Sequence, residues 1–546
     1  MLMELAAPTT DSFSVMWQQA VAECGERPFL VFEDVDGAVT ELSYASMDEL
    51  VGRVGGGLAA RGVGAGDAVH LVLPNTVSFV AVWLACARLG AWFVPTDPRA
   101  GVDEITEHLR RTHPRVAVTT TARHNDYLAA RQCAGLDVAV DVVALDERDA
   151  DLDALAAEAV APAPVSPSDR LAVMFTSGTT SAPKGVVLTQ ANYSHVGAVM
   201  AAAAGLTRWD RQFVVLPLFH ANAQYYSFAA AIAVGAGVAL MGAFSASRFV
   251  EQARRHEVTH ASLFAAPMRM ILARTPGDAE PLALRNVWFA QNLTDEQYRR
   301  SAALFGCTPR QIYGMTETVP AVLSNPPVGS QPDSIGRTTL GCSVAVVGSG
   351  GEPVSAGEVG SIVVGGYPGV TVFAGYLDDP LTTERMIRGR REDGFVWFDS
   401  GDRATVDARG MLRFAGRHSD VLKVAGENVS VVEIEHHLAE HPHVDDVAVV
   451  GRADPMRDEV PVAFVVAAAD APEWVVLEDD LSRWVATRLS PAKRPAEFHR
   501  VDDLPRTSVG KVRKFLLGAD SEPTTSQPTT SQPTKSEPTK SQQGSE

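Results

Sequence analysis

Thr176-Ser-Gly-Thr-Thr-Ser-Ala-Pro-Lys-Gly185 is the stretch whose reading decides the fold. It follows the apolar run 171–175, which reads as a buried strand, and precedes a helical pattern over 190–204. Hydroxyls, two glycines and a lysine at a strand-to-helix junction supply N–H and O–H donors for phosphate. The spacing is not that of a Walker loop: Gly178 is followed by five residues, then by Lys184 and another glycine. The bland alternative is a flexible Ser/Thr/Gly connector. Lysine usage weighs against it, because only seven of the 47 basic residues are lysine and one of them stands here. A chain that otherwise uses arginine keeps lysine where a compact ammonium on a long stem is wanted.

Working outward, residues 12 to about 165 alternate helical patterns with the apolar runs 68–73, 93–95 and 116–119. That is the rhythm of a doubly wound α/β domain. Gly62-Val-Gly-Ala-Gly-Asp67 follows a helix and precedes a strand, the reverse of a dinucleotide-binding turn, and reads as a simple αβ turn. A Pro/Ala-rich linker at 161–167 leads to the phosphate-loop strand, and the α/β pattern resumes to about 330. The polar-poor stretch 228–244 falls short of a membrane span, and Gly235 and Gly237 divide it into a buried helix and a strand. Residues 336–415 are strand-rich and Gly-punctuated, which suggests a β-subdomain, and a short α/β unit follows to about Leu517. Four consecutive S-x-P-T-x pentapeptides occupy 521–540; with almost no apolar residues they are expected to be disordered or polyproline-like.

The chain of 546 residues is 46% hydrophobic, enough for a large core and a further domain. A net charge of -19 argues against nucleic-acid binding. An acidic protein that handles anions must concentrate positive charge or N–H groups locally. Cys24, Cys86, Cys133, Cys307 and Cys342 form no CxxC pair and fit reduced thiols in a cytoplasmic enzyme. No signal peptide is expected from Met-Leu-Met-Glu-Leu-Ala-Ala-Pro, and there is no G-x-S-x-G elbow for a serine hydrolase.

The segment 176–185 resembles the phosphate loop of the adenylate-forming superfamily, which includes acyl-CoA synthetases, peptide-synthetase adenylation domains and firefly luciferase. Tyr313-Gly-Met-Thr-Glu-Thr318, Ser400-Gly-Asp402 with Gly416-Arg417, Lys423-Val-Ala-Gly-Glu-Asn-Val429 and Pro505-Arg-Thr-Ser-Val-Gly-Lys511 resemble its further motifs, in family order. Each is moderately specific; five in order exclude coincidence. The resemblance spans about 12–517 and implies a large N-terminal ATP- and acid-binding domain (1–417) of doubly wound α/β subdomains plus a β-subdomain. A small, mobile α/β C-terminal lid (418–517) and a tail (518–546) would follow.

The chemistry so implied is attack of a carboxylate on the α-phosphorus of ATP with loss of pyrophosphate. Two anions must meet, so positioning and charge neutralisation dominate. The resemblance assigns Thr176, Ser177, Gly178, Thr179, Thr180 and Lys184 to the β/γ-phosphates, Thr316 to the α-phosphate and Glu317 to Mg²⁺. Tyr313 would stack on adenine, Asp402 would accept both ribose hydroxyls, and Arg417 would add charge nearby. Lys511 would be delivered to the reacting carboxylate–phosphate junction when the lid closes and excludes water. Two departures stand out: Ser181 replaces the family's usual glycine, and Ser419 occupies the usual Asp or Lys hinge position.

The acid pocket draws on Leu216-Pro-Leu-Phe-His220-Ala-Asn-Ala-Gln-Tyr-Tyr226 and Phe289-Ala-Gln-Asn-Leu293. By resemblance His220 faces the acyl carboxylate and Gly314 lines the pocket. The Phe-Asp-x-Ser sequence of amino-acid-activating relatives is absent. Asn222, Gln224, Gln291 and Asn292 would be left unsatisfied against a long alkyl chain, so a small polar or aromatic acid fits better. The wall resembles the carnitine/crotonobetaine-CoA ligase branch, which implies coenzyme A as acceptor, its pantetheine passing Gly426. Two alternatives stay open: a diazotase-like enzyme that activates nitrite to nitrosate an aminoaromatic acid, and a non-catalytic nucleotide- or acyl-binding relative. Retention of Lys511, Glu317 and Asp402 speaks against the second.

Overall fold

The computed structural model describes residues 11–136, 140–146, 152–176, 183–417, 421–424, 427–506 and 512–517. Its first sheet has seven strands, in the order Gly375–Tyr376, Lys184–Thr189, Arg170–Thr176, Trp92–Pro95, Ala68–Val72, Val116–Thr120 and Asp141–Leu145. Ala68–Val72 and Val116–Thr120 are buried at every residue. Parallel strands covered on both faces read as such continuous apolar runs. Arg170–Thr176 and Lys184–Thr189 form an antiparallel hairpin in which Thr176 lies opposite Lys184.

The second sheet has nine strands, and its interior is the parallel series Arg310–Tyr313, Asn286–Ala290, His260–Phe264, Arg211–Val214, Gly237–Met241 and Pro28–Glu33. Here the reading of 12–165 as one α/β unit needs correction. Pro28–Glu33 and Val39–Ser43 belong to this second sheet, with Leu30 opposite Val238, because strand pairing is decided by distant chain that local patterning does not reveal. The helix Val77–Leu89 is apolar on every side and buried, with Trp83 packed on Phe13, Phe93, Tyr193 and Phe228 in one core that both sheets share.

The stretch expected to hold a helix begins earlier than the sequence indicated. Asn222–Ala229 is a π-helix that runs into the helix Ala230–Val234, which Gly235 ends in the left-handed region at φ 70°. A π-helix is uncommon and recurs at functional sites. Between 343 and 417 a five-stranded antiparallel sheet forms from Ser343–Val347, Val359–Gly366, Val396–Val406, Ile387–Arg390 and Leu412–Arg417. The C-terminal part builds a separate five-stranded sheet with the helices Val431–Ala439 and Trp474–Ala486 around its own apolar cluster. The architecture is thus α/β, with a large N-terminal and a small C-terminal domain; the division at 417/418 is our proposal. The repeat tail lies outside the described residues, among which no helix is long and apolar enough to cross a membrane. All five cysteines are free.

Candidate active site

The carboxyl ends of the parallel strands in the second sheet carry Tyr313, Gln291 and the segment leading to His220, where open α/β sheets place their ligands. The hairpin of the first sheet brings in Thr176 and Lys184. Ser177, Gly178, Thr179, Thr180 and Ser181 lie outside the described residues, but both stems of their loop are anchored. The His108 ring stacks on Phe175 at 4.0 Å between centroids, and the Arg111 guanidinium covers the same ring at 5.0 Å. Arg111 also donates to the carbonyls of Pro183 at 2.6 Å and Leu377 at 3.1 Å. One side chain therefore touches the residues on either side of the loop.

From Lys184 a polar chain runs inward. Its ammonium sits 5.0 Å over the Tyr376 ring, and the Tyr376 hydroxyl donates to Glu317 Oε1 at 3.0 Å. Glu317 is 4% exposed. Burial raises its pKa above the ordinary carboxylate value, while Tyr376, Lys184 and Arg417 act in the opposite sense. The backbone just beyond is held in a rare conformation, with the β-branched Val319 at φ 67°.

A second cluster forms where the second sheet meets the β-subdomain. Asp402 and Arg417 are cross-strand partners, and Arg417 Nε donates to Asp402 Oδ1 at 3.0 Å. The Tyr313 hydroxyl donates to Asp402 Oδ2 at 2.7 Å, and the Asp402 amide donates to Ser400 Oγ at 3.2 Å. Phe414 lies beside Tyr313, with ring centroids 6.5 Å apart. Burial, then the charge of Asp402, holds the Tyr313 phenol far above its usual pKa, so it remains a donor. The charge of Arg417 reaches Glu317 as well as Asp402, so the two clusters lie within electrostatic reach of one another.

Around the expected acid pocket the outcome is mixed. Burial lowers His220 to a pKa of about 4, with Asp97 opposing and Arg99 reinforcing, so the imidazole is neutral at pH 7. Asn222 is buried, and among the described residues its Oδ1 has no hydrogen-bond partner, nor has the Tyr225 hydroxyl. Both are orphaned polar atoms at a site expected to bind a polar ligand. Gln224 has both amide atoms engaged. Its Oε1 accepts from Tyr193 at 2.6 Å and its Nε2 donates to the Leu218 carbonyl at 2.6 Å, so the amide is satisfied within the core. Gln291, at φ 75°, and Asn292 are exposed beyond the strand Asn286–Ala290, and both are tied back by Gln311 Nε2. Thr316, itself half-buried, opens a 3₁₀ turn whose other two residues are buried. Gly314 has no room for a side chain, since a Cβ would stand 2.9 Å from the Tyr226 hydroxyl.

Gly426, Ser419 and Lys511 lie outside the described residues. The flanks of the Lys511 motif are placed: Arg506 is bridged to Val512, the charge of Arg513 reaches Glu104, and that of Arg506 meets Arg269. The residues that flank the masked part of the motif, Arg506 and Arg513, thus stand within electrostatic reach of the helices Ala265–Arg274 and Val102–Thr112. Sequence reasoning missed Tyr376 and Arg111. Tyr376 reaches Glu317 through the pairing of Gly375–Tyr376 with Lys184–Thr189, and Arg111 reads as the polar face of an amphipathic helix. A cavity of about 520 Å³ lined by Met16, Cys24, Trp209 and Gly235 opens at the amino ends of the strands, away from this site.

Comparison with known proteins bears on this geometry. A family model described as AMP-binding enzyme matches residues 17–377, and one described as AMP-binding enzyme C-terminal domain matches 433–511. The crotonobetaine/carnitine–CoA ligase of Escherichia coli O139:H28 is 30% identical over 508 residues, covering 91% of this chain and 97% of that protein. The crystal structure of ATP-bound MatB from Rhodopseudomonas palustris superposes with a TM-score of 0.81 at 26% identity, over 93% of this chain and 98% of that one. The o-succinylbenzoate CoA synthetase of Bacillus subtilis, in complex with its acyl-adenylate intermediate, gives a TM-score of 0.80 at 25% identity, over 93% and 98% of the two chains.

Proposed function

The chain belongs to the family of adenylate-forming AMP-binding enzymes of the acid–CoA ligase type, and from that premise we propose that it activates a small polar or aromatic carboxylic acid as its acyl-AMP and passes the acyl group to coenzyme A. The observation that carries the reading is the pair of clusters, Tyr313–Asp402–Arg417 and Lys184–Tyr376–Glu317. The first suits a ribose and its base; the second suits phosphates and their cation.

In this reading the Asp402 carboxylate accepts the ribose hydroxyls. Thr176 and Lys184, with Ser177, Gly178, Thr179 and Thr180, hold the β- and γ-phosphates, and Thr316 the α-phosphate. Glu317 fits a hard cation: it is a buried carboxylate with Oε1 held by the Tyr376 hydroxyl. Among the described residues no three His, Cys, Asp or Glu side chains cluster as a metal cage, so Glu317 would share Mg²⁺ with phosphate oxygens. Bound there, Mg²⁺ would neutralise charge on the phosphates during displacement. His220, being neutral, orients the acid by hydrogen bonding without lowering the nucleophilicity of the carboxylate. Lys511 stabilises the charge that develops between carboxylate and α-phosphorus. The coenzyme A thiol then enters past Gly426 and displaces AMP.

Asn222 and the Tyr225 hydroxyl, both short of partners, support a polar or aromatic acid. The nitrite alternative draws no support from these relatives. The test is AMP formation from ATP and each of a panel of acids, without a thiol, with CoA, and with nitrite in its place. We expect CoA to accelerate turnover and an acyl-CoA thioester to appear by mass spectrometry. Acceleration by nitrite and an aminoaromatic acid, with none by CoA, would overturn the acceptor assignment.

A further inference from the structure

Arg269 lies on the helix Ala265–Arg274, which springs from the carboxyl end of the strand His260–Phe264. In the sheet that strand lies between Asn286–Ala290, which leads to Gln291 and Asn292, and Arg211–Val214, which leads to His220. The first turns of the helix therefore stand between the two segments proposed to wall the acid pocket. Ala265, Met268, Ile271 and Leu272 face the core, Met270 is 55% exposed, and Arg269 is half-buried on the flank.

Among the described residues Arg269 has no hydrogen-bond or ion-pair partner. The contrast within this fold is sharp. Arg310, on a neighbouring strand, donates to the Asn325 and Ala203 carbonyls and to Asn286, and lies over the Trp288 ring. Arg111 and Arg417 are also paired. Burial lowers the pKa of Arg269, with no acidic group to offset it. The neighbour that feels its charge is another cation, Arg506 of the C-terminal motif, itself paired with Asp446. A half-buried guanidinium with no partner among the described residues is costly unless an anion completes it.

We propose that Arg269 is a specificity residue that recognises a second anionic group on the acid, a carboxylate or equivalent planar oxyanion at the end remote from the reacting carboxylate. The proposal rests on the adenylation reading above and narrows it from small polar acids to those that carry a further negative charge. The reacting carboxylate already has His220 and Lys511 assigned to it. A guanidinium bound to that same carboxylate would stabilise the ground state and blunt the nucleophile. Arg269 stands on a different element, suited to the far end of a short acid, and its planar fork matches a carboxylate bidentately. A monoacid leaves the guanidinium unpaired and is rejected for that reason.

The test uses the full chain and matched acids with and without a second carboxylate: succinate against butyrate, and terephthalate against benzoate. Acid-dependent ATP–pyrophosphate exchange gives kcat/KM for each. A charged hydrogen bond predicts a diacid-to-monoacid ratio of at least about tenfold in one pair. Arg269→Met should bring that ratio to near one, and Arg269→Lys should keep part of it. Melting curves and ATP affinity verify that both variants are folded, and either variant alone suffices for the comparison. Monoacids exchanging as well as diacids in both pairs, or an unchanged ratio in a folded Arg269→Met protein, would overturn the inference while leaving adenylation intact. No exchange with any acid would overturn the adenylation reading and this inference with it.

Discussion

Replacing Asp402 by Asn probes the ribose cluster with little change of shape. Asp402 is 4% exposed and accepts from Tyr313 at 2.7 Å and from Arg417 at 3.0 Å. In the proposed reading it receives two ribose hydroxyls as well. A hydrogen bond to a charged group contributes about 1.5–3 kcal/mol, so weakening both ribose contacts costs at least about 3 kcal/mol of ATP binding, roughly 150-fold. The effect on the fold is smaller. The Arg417 side chain is 33% exposed, so water screens the charge left behind. The Asn amide retains one oxygen for the Tyr313 hydroxyl. We expect a melting temperature lowered by only a few degrees and an ATP dissociation constant raised about a hundredfold or more by titration calorimetry. An ATP affinity within about threefold of wild type, with an unchanged melting curve, would refute the ribose assignment.

Three further outcomes follow from the same geometry. Gly314→Ala places a Cβ 2.9 Å from the Tyr226 hydroxyl and 3.0 Å from Pro320 O, so the acid KM should rise about tenfold or more with little change in ATP KM; wild-type kinetics would contradict the crowding. Arg111→Ala releases both stems of the phosphate loop and should raise the ATP KM roughly tenfold, whereas Arg111→Lys recovers part of the loss, as pyrophosphate-exchange kinetics will tell. Burial alone would raise the Glu33 pKa, but hydrogen bonds from Gln252 and His256 and the charges of His256 and Arg255 carry it below its ordinary value of 4.5. A depressed carboxylate stabilises the fold above the unfolded-state pKa and loses that stability as pH falls through the folded value. The melting temperature should therefore fall more steeply below about pH 4.5 in wild type than in Glu33→Gln; parallel curves would refute this.

The parts of the site that sequence revealed are those joined by short chain. Thr176 and Lys184 are cross-strand partners in one hairpin, as are Asp402 and Arg417 in another, so a linear motif already contains the geometry. Runs such as Ala68–Val72 announced a parallel sheet because both faces are covered. Illegible were the contacts closed by distant pairing. Tyr376 meets Glu317 only because Gly375–Tyr376 adds to the edge of the phosphate-loop hairpin, and Pro28–Glu33 crosses to the second sheet to pair with Gly237–Met241. Equally illegible were the partners of Gln224, whose amide serves Tyr193 and Leu218. A glutamine in an apolar context signals a buried hydrogen-bond partner, not which partner it is.

The most direct test of the account is acid-dependent ATP–pyrophosphate exchange by the intact chain and by Lys511→Ala, over small polar, dicarboxylic and aromatic acids. Exchange requires that an acid displace pyrophosphate and that pyrophosphate return, so it reports adenylation independently of the acceptor. The account predicts exchange with at least one acid, and a loss in Lys511→Ala far larger than any change in its ATP affinity, because the lysine acts on the transition state. No exchange with any acid at saturating ATP, or a Lys511→Ala rate within a few-fold of wild type, would contradict it.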